Sequence, residues 1–243
     1  MPLTHRPPSM SRSLATVVRA LLALLAVTIV AICVGCSPRS DSATDGATGE
    51  PVDLGAVEVR EYRGEKLGSA ADFRENSIKG PQDVDVETYR LTVDGEVDTP
   101  LELTYDDVVA RPSFEKVVTL YCVEGWNVRI LWKGVRIADL LADAGYDEAA
   151  PTVIFHCADG YTTSLPRTVI EDRQLLLAYE MNGIALPKER GFPFQVVAED
   201  RWGYKWAKWV TRIEVSADAD YEGYWESRGY DNGGELPEKD RAE

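Results

Sequence analysis

Alternation of apolar and polar positions predicts several strands in this chain. Tyr89, Leu91 and Val93 alternate with polar residues and lead into Asp94-Gly95, as in a strand that enters a hairpin. Asn182-Gly183 between apolar flanks predicts a second hairpin. Further strands are predicted in KVVTLY (116–121), PTVIFHC (151–157), YTTSLP (161–166), FPFQVVAED (192–200) and KWVTRIEVS (208–216).

Helical spacing is confined to short segments. In VRIADLLADAGY (135–146) apolar residues recur with the period of a helix, and Gly145 is placed as its stop. Thr104 and Asp107 have the spacing of a capping box before another brief helix. Strands therefore dominate, and we predict an α+β fold with mixed sheets. The sequence contains no repeat, heptad or glycine-rich phosphate loop.

The N-terminus has the pattern of an export signal. An apolar run (20–35) follows basic residues and is shorter than the about 20 residues that a spanning helix needs. Gly35-Cys36 resembles the bacterial lipobox, at which the cysteine is lipidated. An uncleaved membrane anchor is the alternative. Both interpretations predict an extracytoplasmic domain that is tethered to the cell membrane.

Composition divides the rest of the chain. SPRSDSATDGATGEP, which follows Cys36, is polar and typical of a flexible spacer. The predicted organisation is a signal peptide with a lipobox at 1–36, a flexible linker at 37–54, one domain at 55–225 and a polar acidic tail at 226–243. The formal net charge of −15 argues against nucleic acid as a partner, because binding to phosphates needs a basic surface.

Few residues are available for familiar catalytic relays. His5 lies in the signal region, so such a relay would depend on His156. His156 and Cys157 are adjacent on a predicted strand and point to opposite faces, which makes them poor joint zinc ligands with Cys122. Two cysteines in an exported domain also allow a disulfide between Cys122 and Cys157.

Cys122 stands where a predicted strand enters a loop with Gly125 and Trp126. Loops of this kind often present functional residues, and a thiolate is a suitable ligand for metal–sulfur chemistry. Taken alone, however, the residue is more typical of a small buried hydrophobe.

Five segments in a fixed order change this interpretation: RENSIKGPQ (74–82), TLYCVEGWNVRILWKGVRIADLL (119–141), VIFHCADGYTTSLP (153–166), LLAYEMNGIALPKERGFPFQVV (176–197) and RWGYKWAKWVTRIEV (201–215). Together they resemble the sulfite oxidase-type molybdopterin-binding oxidoreductase domain. Within that family they are most similar to the branch that includes the periplasmic methionine sulfoxide reductase catalytic subunit. The resemblance covers about residues 70–225.

The resemblance implies a Mo-molybdopterin cofactor and a sulfite oxidase-like fold. Cys122 would be the thiolate that binds molybdenum, beside the two dithiolene sulfurs of the pterin and oxo or water oxygens. Trp126 and Tyr161 would line the substrate funnel. The implied cofactor-binding residues are Asn76, Ile78, Lys79, Cys122, Cys157, Arg190, Gln195, Lys205, Trp206, Ala207 and Lys208.

The resemblance also implies oxygen-atom transfer on a small substrate, by sulfoxide reduction or by sulfite-type oxidation. The sequence has no Cys-x-x-Cys-His motif for haem attachment, so electrons would pass to or from a membrane haem protein or a soluble cytochrome. After Val215 only 28 residues follow, too few for the immunoglobulin-like dimerisation domain of sulfite oxidases, which needs about 100. We therefore expect a monomer.

Two departures favour a second hypothesis. Gln195 is neutral where the reductase has a basic residue, and the signal region has no Arg-Arg pair for export of a folded, cofactor-loaded protein. On this hypothesis the chain is a non-catalytic, membrane-tethered binding module that keeps the fold without the cofactor.

Overall fold

The computed structural model of the protein describes residues 58–241. The predicted signal peptide with Cys36 and the predicted linker therefore lie outside the described residues. Within 58–241 no helix has both the length and the apolar character needed to cross a membrane.

Strands make up most of the regular structure. In chain order, the strands in the described part of the chain are β1 (Glu61–Tyr62), β2 (Glu65–Lys66), β3 (Leu91–Gly95), β4 (Leu101–Leu103), β5 (Phe114–Tyr121), β6 (Asn127–Arg136), β7 (Thr152–Cys157), β8 (Thr162–Pro166), β9 (Leu176–Met181), β10 (Ile184–Ala185), β11 (Gln195–Val197) and β12 (Val210–Ser216). The helices are α1 (Tyr105–Val109), α2 (Ile137–Ala144) and α3 (Arg167–Asp172), and short 3₁₀ turns include Gly203–Lys205 and Glu226–Arg228.

The main strands form two sheets. One has the order β4-β3-β12-β7-β8, and β12 runs parallel to β3 but antiparallel to β7. The other has the order β10-β9-β6-β5, and β11 also pairs with β9. Leu91, Phe155 and Ile213 from the first sheet and Leu140 from α2 belong to one buried apolar cluster. The predicted α+β fold with mixed sheets is confirmed.

The predicted helix signals are also confirmed. The Thr104 hydroxyl accepts a hydrogen bond from the Asp107 amide at 3.1 Å, and the Asp107 carboxylate accepts one from the Thr104 amide at 2.9 Å. This reciprocal pair caps α1. Gly145 ends α2 with φ of 67°, a left-handed conformation that glycine adopts without steric cost.

The predicted turn at Asn182-Gly183 joins β9 to β10. Both residues have positive φ, 48° and 78°, as a two-residue hairpin turn requires. The buried side-chain nitrogen of Asn182 donates to the Glu58 carboxylate and to the Gly68 carbonyl, each at 2.8 Å. Its amide oxygen accepts from the Leu131 backbone at 3.0 Å. The turn thus holds the first described residues against the second sheet.

The sequence patterns do not predict β6 or α3. β6 lies between β9 and β5, and Ile130, Leu131 and Trp132 are consecutive buried residues on it. A strand covered on both faces has no apolar–polar alternation, which is the signal that marked the other strands. α3 has six residues and no side-chain cap.

The chain continues to pack beyond residue 225, where the predicted domain ends. Glu226 and Leu236 are each 2% exposed. The Leu236 amide donates to the Asp200 carbonyl at 3.0 Å, and the Trp202 amide donates to the Gly234 carbonyl at 2.8 Å. We call residues 223–236 the C-terminal segment; it lies along residues 200–205.

Candidate active site

Cys122 begins the tight loop that joins β5 to β6. Its amide donates to the Trp126 carbonyl at 2.9 Å, and its carbonyl accepts from the Gly125 amide at 3.0 Å. Gly125 has φ of 85°, which a side chain would disfavour. Gly203 packs on the loop: a Cβ added there would lie 3.3 Å from the Tyr121 carbonyl oxygen and 3.7 Å from the Cys122 Cα. The loop is therefore held in place by the strand hairpin and by the Gly203–Lys205 turn.

The Cys122 side chain is a free thiol, 8% exposed. Burial raises the pKa of this thiol, and a hydrogen bond with the Glu124 backbone opposes that effect. A thiol in such surroundings becomes a thiolate when a metal ion replaces its proton.

A cavity of about 270 Å³ opens at Cys122. Nine residues predicted to contact cofactor or substrate line it: Asn76, Ile78, Cys122, Trp126, Tyr161, Arg190, Gln195, Trp206 and Lys208. These residues come from segments that are far apart in the sequence, and the fold brings them together.

One part of the wall is basic. Arg190 is 6% exposed, its guanidinium lies 5.0 Å from the Phe73 ring centre, and burial lowers its pKa. Lys208 forms an ion pair of 2.9 Å with Glu75, and burial lowers its pKa as well. Burial would raise the pKa of Glu75, but the hydrogen bond and charge of Lys208 lower it on balance. The cavity lining therefore contains three cations and two carboxylates: Arg74, Arg190, Lys208, Glu124 and Asp159.

Gln195 is 3% exposed and starts β11. Its amide oxygen is buried in the cavity wall, and no group in the described part of the chain donates a hydrogen bond to it. A buried polar atom without a partner is costly, and ligand donors commonly satisfy such atoms. Gln195 therefore offers a position for a donor group of a bound molecule.

Four predicted cofactor residues do not line the cavity: Lys79, Cys157, Lys205 and Ala207. The Lys79 ammonium lies 3.2 Å from the position of a Cβ on Gly160, in the turn after β7. Ala207 is fully buried, and its carbonyl accepts from the Val196 amide at 2.9 Å.

Cys157 and Lys205 are enclosed by protein. Cys157 is a free thiol, and burial raises its pKa well above the ordinary value. The Lys205 ammonium forms an ion pair of 2.6 Å with Glu226, and both side chains are fully buried. Lys205 was predicted to add positive charge to the cofactor site, but its charge is paired with Glu226 outside the cavity wall.

Sequence reasoning missed an aromatic part of the wall. Tyr204, Trp225 and Tyr230 line the cavity, and the Tyr230 ring centre lies 5.2 Å from each of the other two. Tyr230 belongs to the stretch that was predicted to be a polar tail. The density of aromatic residues at 221–230 in an otherwise polar stretch is the signal that could have found them.

His156 lies among charged side chains of the first sheet. Its Nε2 atom is 2.8 Å from a Glu214 carboxylate oxygen and 3.1 Å from an Arg212 guanidinium nitrogen. It is not a lining residue of the cavity.

Comparison with known proteins assigns the family. The family described as the oxidoreductase molybdopterin binding domain matches residues 78–225. The chain belongs to this family. The predicted relationship and the predicted molybdopterin cofactor are thereby confirmed.

Three curated relatives are similar in sequence. An uncharacterized oxidoreductase, YuiH of Bacillus subtilis, is 38% identical over 147 residues, which are 60% of this chain and 74% of the relative. The putative protein-methionine-sulfoxide reductase subunit YedZ1 of Azospira oryzae is 34% identical, over 61% of this chain and 56% of the relative. Human mitochondrial sulfite oxidase is 34% identical, over 65% of this chain and 34% of the enzyme.

A solved structure is similar in fold. The sulfane dehydrogenase SoxCD from Paracoccus pantotrophus superposes with a TM-score of 0.57 at 22% identity, over 76% of this chain and 58% of that chain. The predicted sulfite oxidase-like fold is thereby confirmed.

Proposed function

We propose that this protein is an exported, membrane-tethered molybdoenzyme that transfers an oxygen atom to or from a small substrate. Its molybdenum would be bound by Cys122. One observation carries the proposal: in a chain of a molybdopterin-binding family, the Cys122 thiol lines a cavity that also holds three cations, two carboxylates and a buried amide oxygen without a partner among the described residues.

The residues of the cavity fit the cofactor. The pterin ring carries N–H groups. One of them would donate the hydrogen bond that the buried Gln195 oxygen does not receive from the described residues. Its phosphate matches the charges of Arg190 and Lys208. Cys122 supplies the soft sulfur ligand.

When bound, the cofactor supplies a metal centre that exchanges an oxygen atom and two electrons with the substrate. The chain's own residues position and shield this chemistry. The hairpin loop fixes the Cys122 sulfur, while the mostly buried walls limit the access of water. Asp159, 2% exposed, accepts from the Tyr161 amide at 2.9 Å and so orders the turn that carries the Tyr161 ring to the cavity.

The substrate would be a sulfoxide to be reduced or a sulfite-type compound to be oxidised. The similarity to a putative protein-methionine-sulfoxide reductase subunit supports the first, and the similarity to sulfite oxidase supports the second. Reduction of a sulfoxide consumes two electrons and two protons and releases a sulfide and water. The electrons would come from a membrane haem protein or a soluble cytochrome. The signal-like pattern at 1–36 supports export and tethering.

Metal analysis tests the proposal. We expect the full chain, made in a host that synthesises molybdopterin, to contain close to one molybdenum per protein and to release a fluorescent pterin on denaturation. Cys122→Ser should lose most of its molybdenum. Cys157→Ser, the matched control, should keep it, because Cys157 does not line the cavity.

A wild-type protein without molybdenum or pterin would refute the proposal and support the non-catalytic binding module. Equal molybdenum content in Cys122→Ser and wild type would refute the role of Cys122 as the ligand. Reduction of dimethyl sulfoxide by a reduced viologen dye, compared with oxidation of sulfite by ferricyanide, then decides the direction.

A further inference from the structure

The most deeply buried charges of the described chain lie just outside the active-site cavity. Lys205 and Glu226 both have side chains that are fully buried, unlike the partners of the other ion pairs among residues 58–241. The Glu226 oxygen that binds Lys205 also accepts a hydrogen bond of 2.5 Å from the Thr163 hydroxyl. Burial of such a pair carries a large desolvation cost, so a gain in stability alone does not explain why the two charges are buried here.

The pair joins the two pieces of chain that carry the aromatic wall. Lys205 ends the Gly203–Lys205 turn, and its neighbours Tyr204 and Trp206 line the cavity. Glu226 directly follows Trp225, which also lines the cavity. The pair itself is absent from the cavity lining, so any effect on the reaction passes through these neighbours.

The C-terminal segment encloses the Lys205 side chain from a second side. A Cβ on Gly234 would lie 2.5 Å from the Lys205 Cγ, so the Gly234 backbone rests directly on the lysine stem. Gly234 has φ of 60°, which glycine adopts without steric cost. Lys205 is therefore the point about which the C-terminal segment folds back.

Several other links of the C-terminal segment to residues 200–205 have partners that water could replace. They include backbone hydrogen bonds at Gly234 and Leu236 and one from the Tyr204 hydroxyl to the Asp231 carbonyl at 2.7 Å. A buried carboxylate that loses its cation has no such replacement, because the low dielectric of the interior penalises the isolated charge.

We propose that the Lys205–Glu226 ion pair is a positioning device that holds the C-terminal segment, with Trp225 and Tyr230, over the cavity at Cys122. This inference rests on the proposed function for its kinetic consequence but not for its structural one. Glu226 lies beyond residues 78–225, the span matched by the family. Lys205 and Glu226 are positioning residues, and the side chains placed next to the substrate are those of Trp225 and Tyr230.

Hydrogen–deuterium exchange of the full chain, with and without molybdenum, tests the structural consequence. In Lys205→Met we expect exchange in residues 223–236 to rise by about tenfold or more, while β6 keeps its wild-type protection. Lys133→Met is the matched control, since it breaks a half-exposed pair with Glu180 and should leave residues 223–236 unchanged.

Double substitution separates positioning from general damage. Lys205→Met combined with Glu226→Leu replaces the pair by apolar groups and should restore most of the protection, because no buried charge is left alone. If Lys205→Met does not fold, Glu226→Gln serves instead, since it keeps the shape and removes the charge of the carboxylate. Wild-type exchange of residues 223–236 in both single variants would overturn the proposal.

Kinetics test the functional consequence. In molybdenum-loaded Lys205→Met we expect the KM for dimethyl sulfoxide, or for sulfite if the enzyme oxidises it, to rise about tenfold. We expect kcat to change by less than about threefold, because a mispositioned wall weakens binding more than it affects the metal. A fall in kcat at constant KM would overturn it. Absence of molybdenum from wild type would refute the proposed function and leave the exchange result standing.

Discussion

Replacing Asn182 by aspartate tests the anchor between the β9–β10 turn and the start of the domain. The Asn182 amide nitrogen lies 2.8 Å from both the Glu58 carboxylate and the Gly68 carbonyl oxygen. In Asn182→Asp an oxygen replaces this nitrogen and two donor contacts become repulsive. Two carboxylates 2.8 Å apart repel by about 6 kcal/mol at an effective dielectric constant of about 20.

Uptake of one proton by the variant is less costly than this repulsion. At pH 7 it costs about 4 kcal/mol, from about 1.4 kcal/mol for each pH unit above an ordinary carboxyl pKa of about 4. The proton restores one hydrogen bond and leaves the other lost, which adds about 1–3 kcal/mol. We therefore expect Asn182→Asp to lower the free energy of unfolding by about 5–7 kcal/mol at pH 7.

Urea denaturation followed by tryptophan fluorescence at pH 7 and near pH 4.5 measures this loss. The folded variant holds a proton that its unfolded state releases, so its pKa is raised on folding. The free energy of unfolding of the variant is therefore closest to that of wild type below the ordinary carboxyl pKa, and it falls further below wild type as pH rises. Asn127→Asp, at an exposed position, is the matched control and should change stability little. A loss below about 1 kcal/mol in Asn182→Asp, or one independent of pH, would refute this reasoning.

Three further predictions concern the site and the sheets. Gly95→Ala should cost about 2–5 kcal/mol by thermal or urea unfolding, because the new Cβ would lie 2.0 Å from the Val215 carbonyl oxygen at φ of 91°. Gly229→Ala is the control, because Gly229 has φ of 93° but open space around an added Cβ, so this variant has the backbone strain without the clash. Equal losses of stability in the two variants would contradict a role for the clash at Gly95. Gln195→Leu should retain the molybdopterin about tenfold less well in a dialysis assay while the cofactor-free protein is at least as stable as wild type; unchanged retention would exclude the amide as a ligand. Tyr230→Ala should raise the KM severalfold at constant molybdenum content, and an unaltered KM would show that the ring does not meet the substrate.

Local signals in the sequence predict the elements that have a local cause. The Thr104–Asp107 capping box, the Gly145 stop and the Asn182-Gly183 turn each act within a few residues, and the structure contains all three. β6 escaped prediction because both of its faces are buried around Ile130, Leu131 and Trp132, which removes the apolar–polar alternation. The order of strands follows from long-range pairing, which no local pattern encodes.

The candidate site was predictable in part for a different reason. Cys122, Arg190 and Lys208 lie in segments whose order resembles a known family, so their meeting at one cavity could be expected. Lys205 was assigned to the same site because it stands beside the implied donors at 206–208 in the sequence, yet its ammonium pairs with Glu226. Its partner is 21 residues further along the chain, beyond β12, and no local pattern in the sequence indicates that contact.

The closing of the cavity by the C-terminal segment has a consequence for the order in which the protein is made. The walls combine residues 73–78, the Cys122 hairpin and Tyr230, so the cavity spans nearly the whole domain in sequence. A chain emerging from the ribosome can form the β5–β6 hairpin long before residues 223–236 exist. Cys122 would then be open to solvent, in a half-built groove without its aromatic cover. The complete enclosure of Cys122 therefore needs residues 223–236, and a chain truncated before residue 223 would leave this thiol without its aromatic cover.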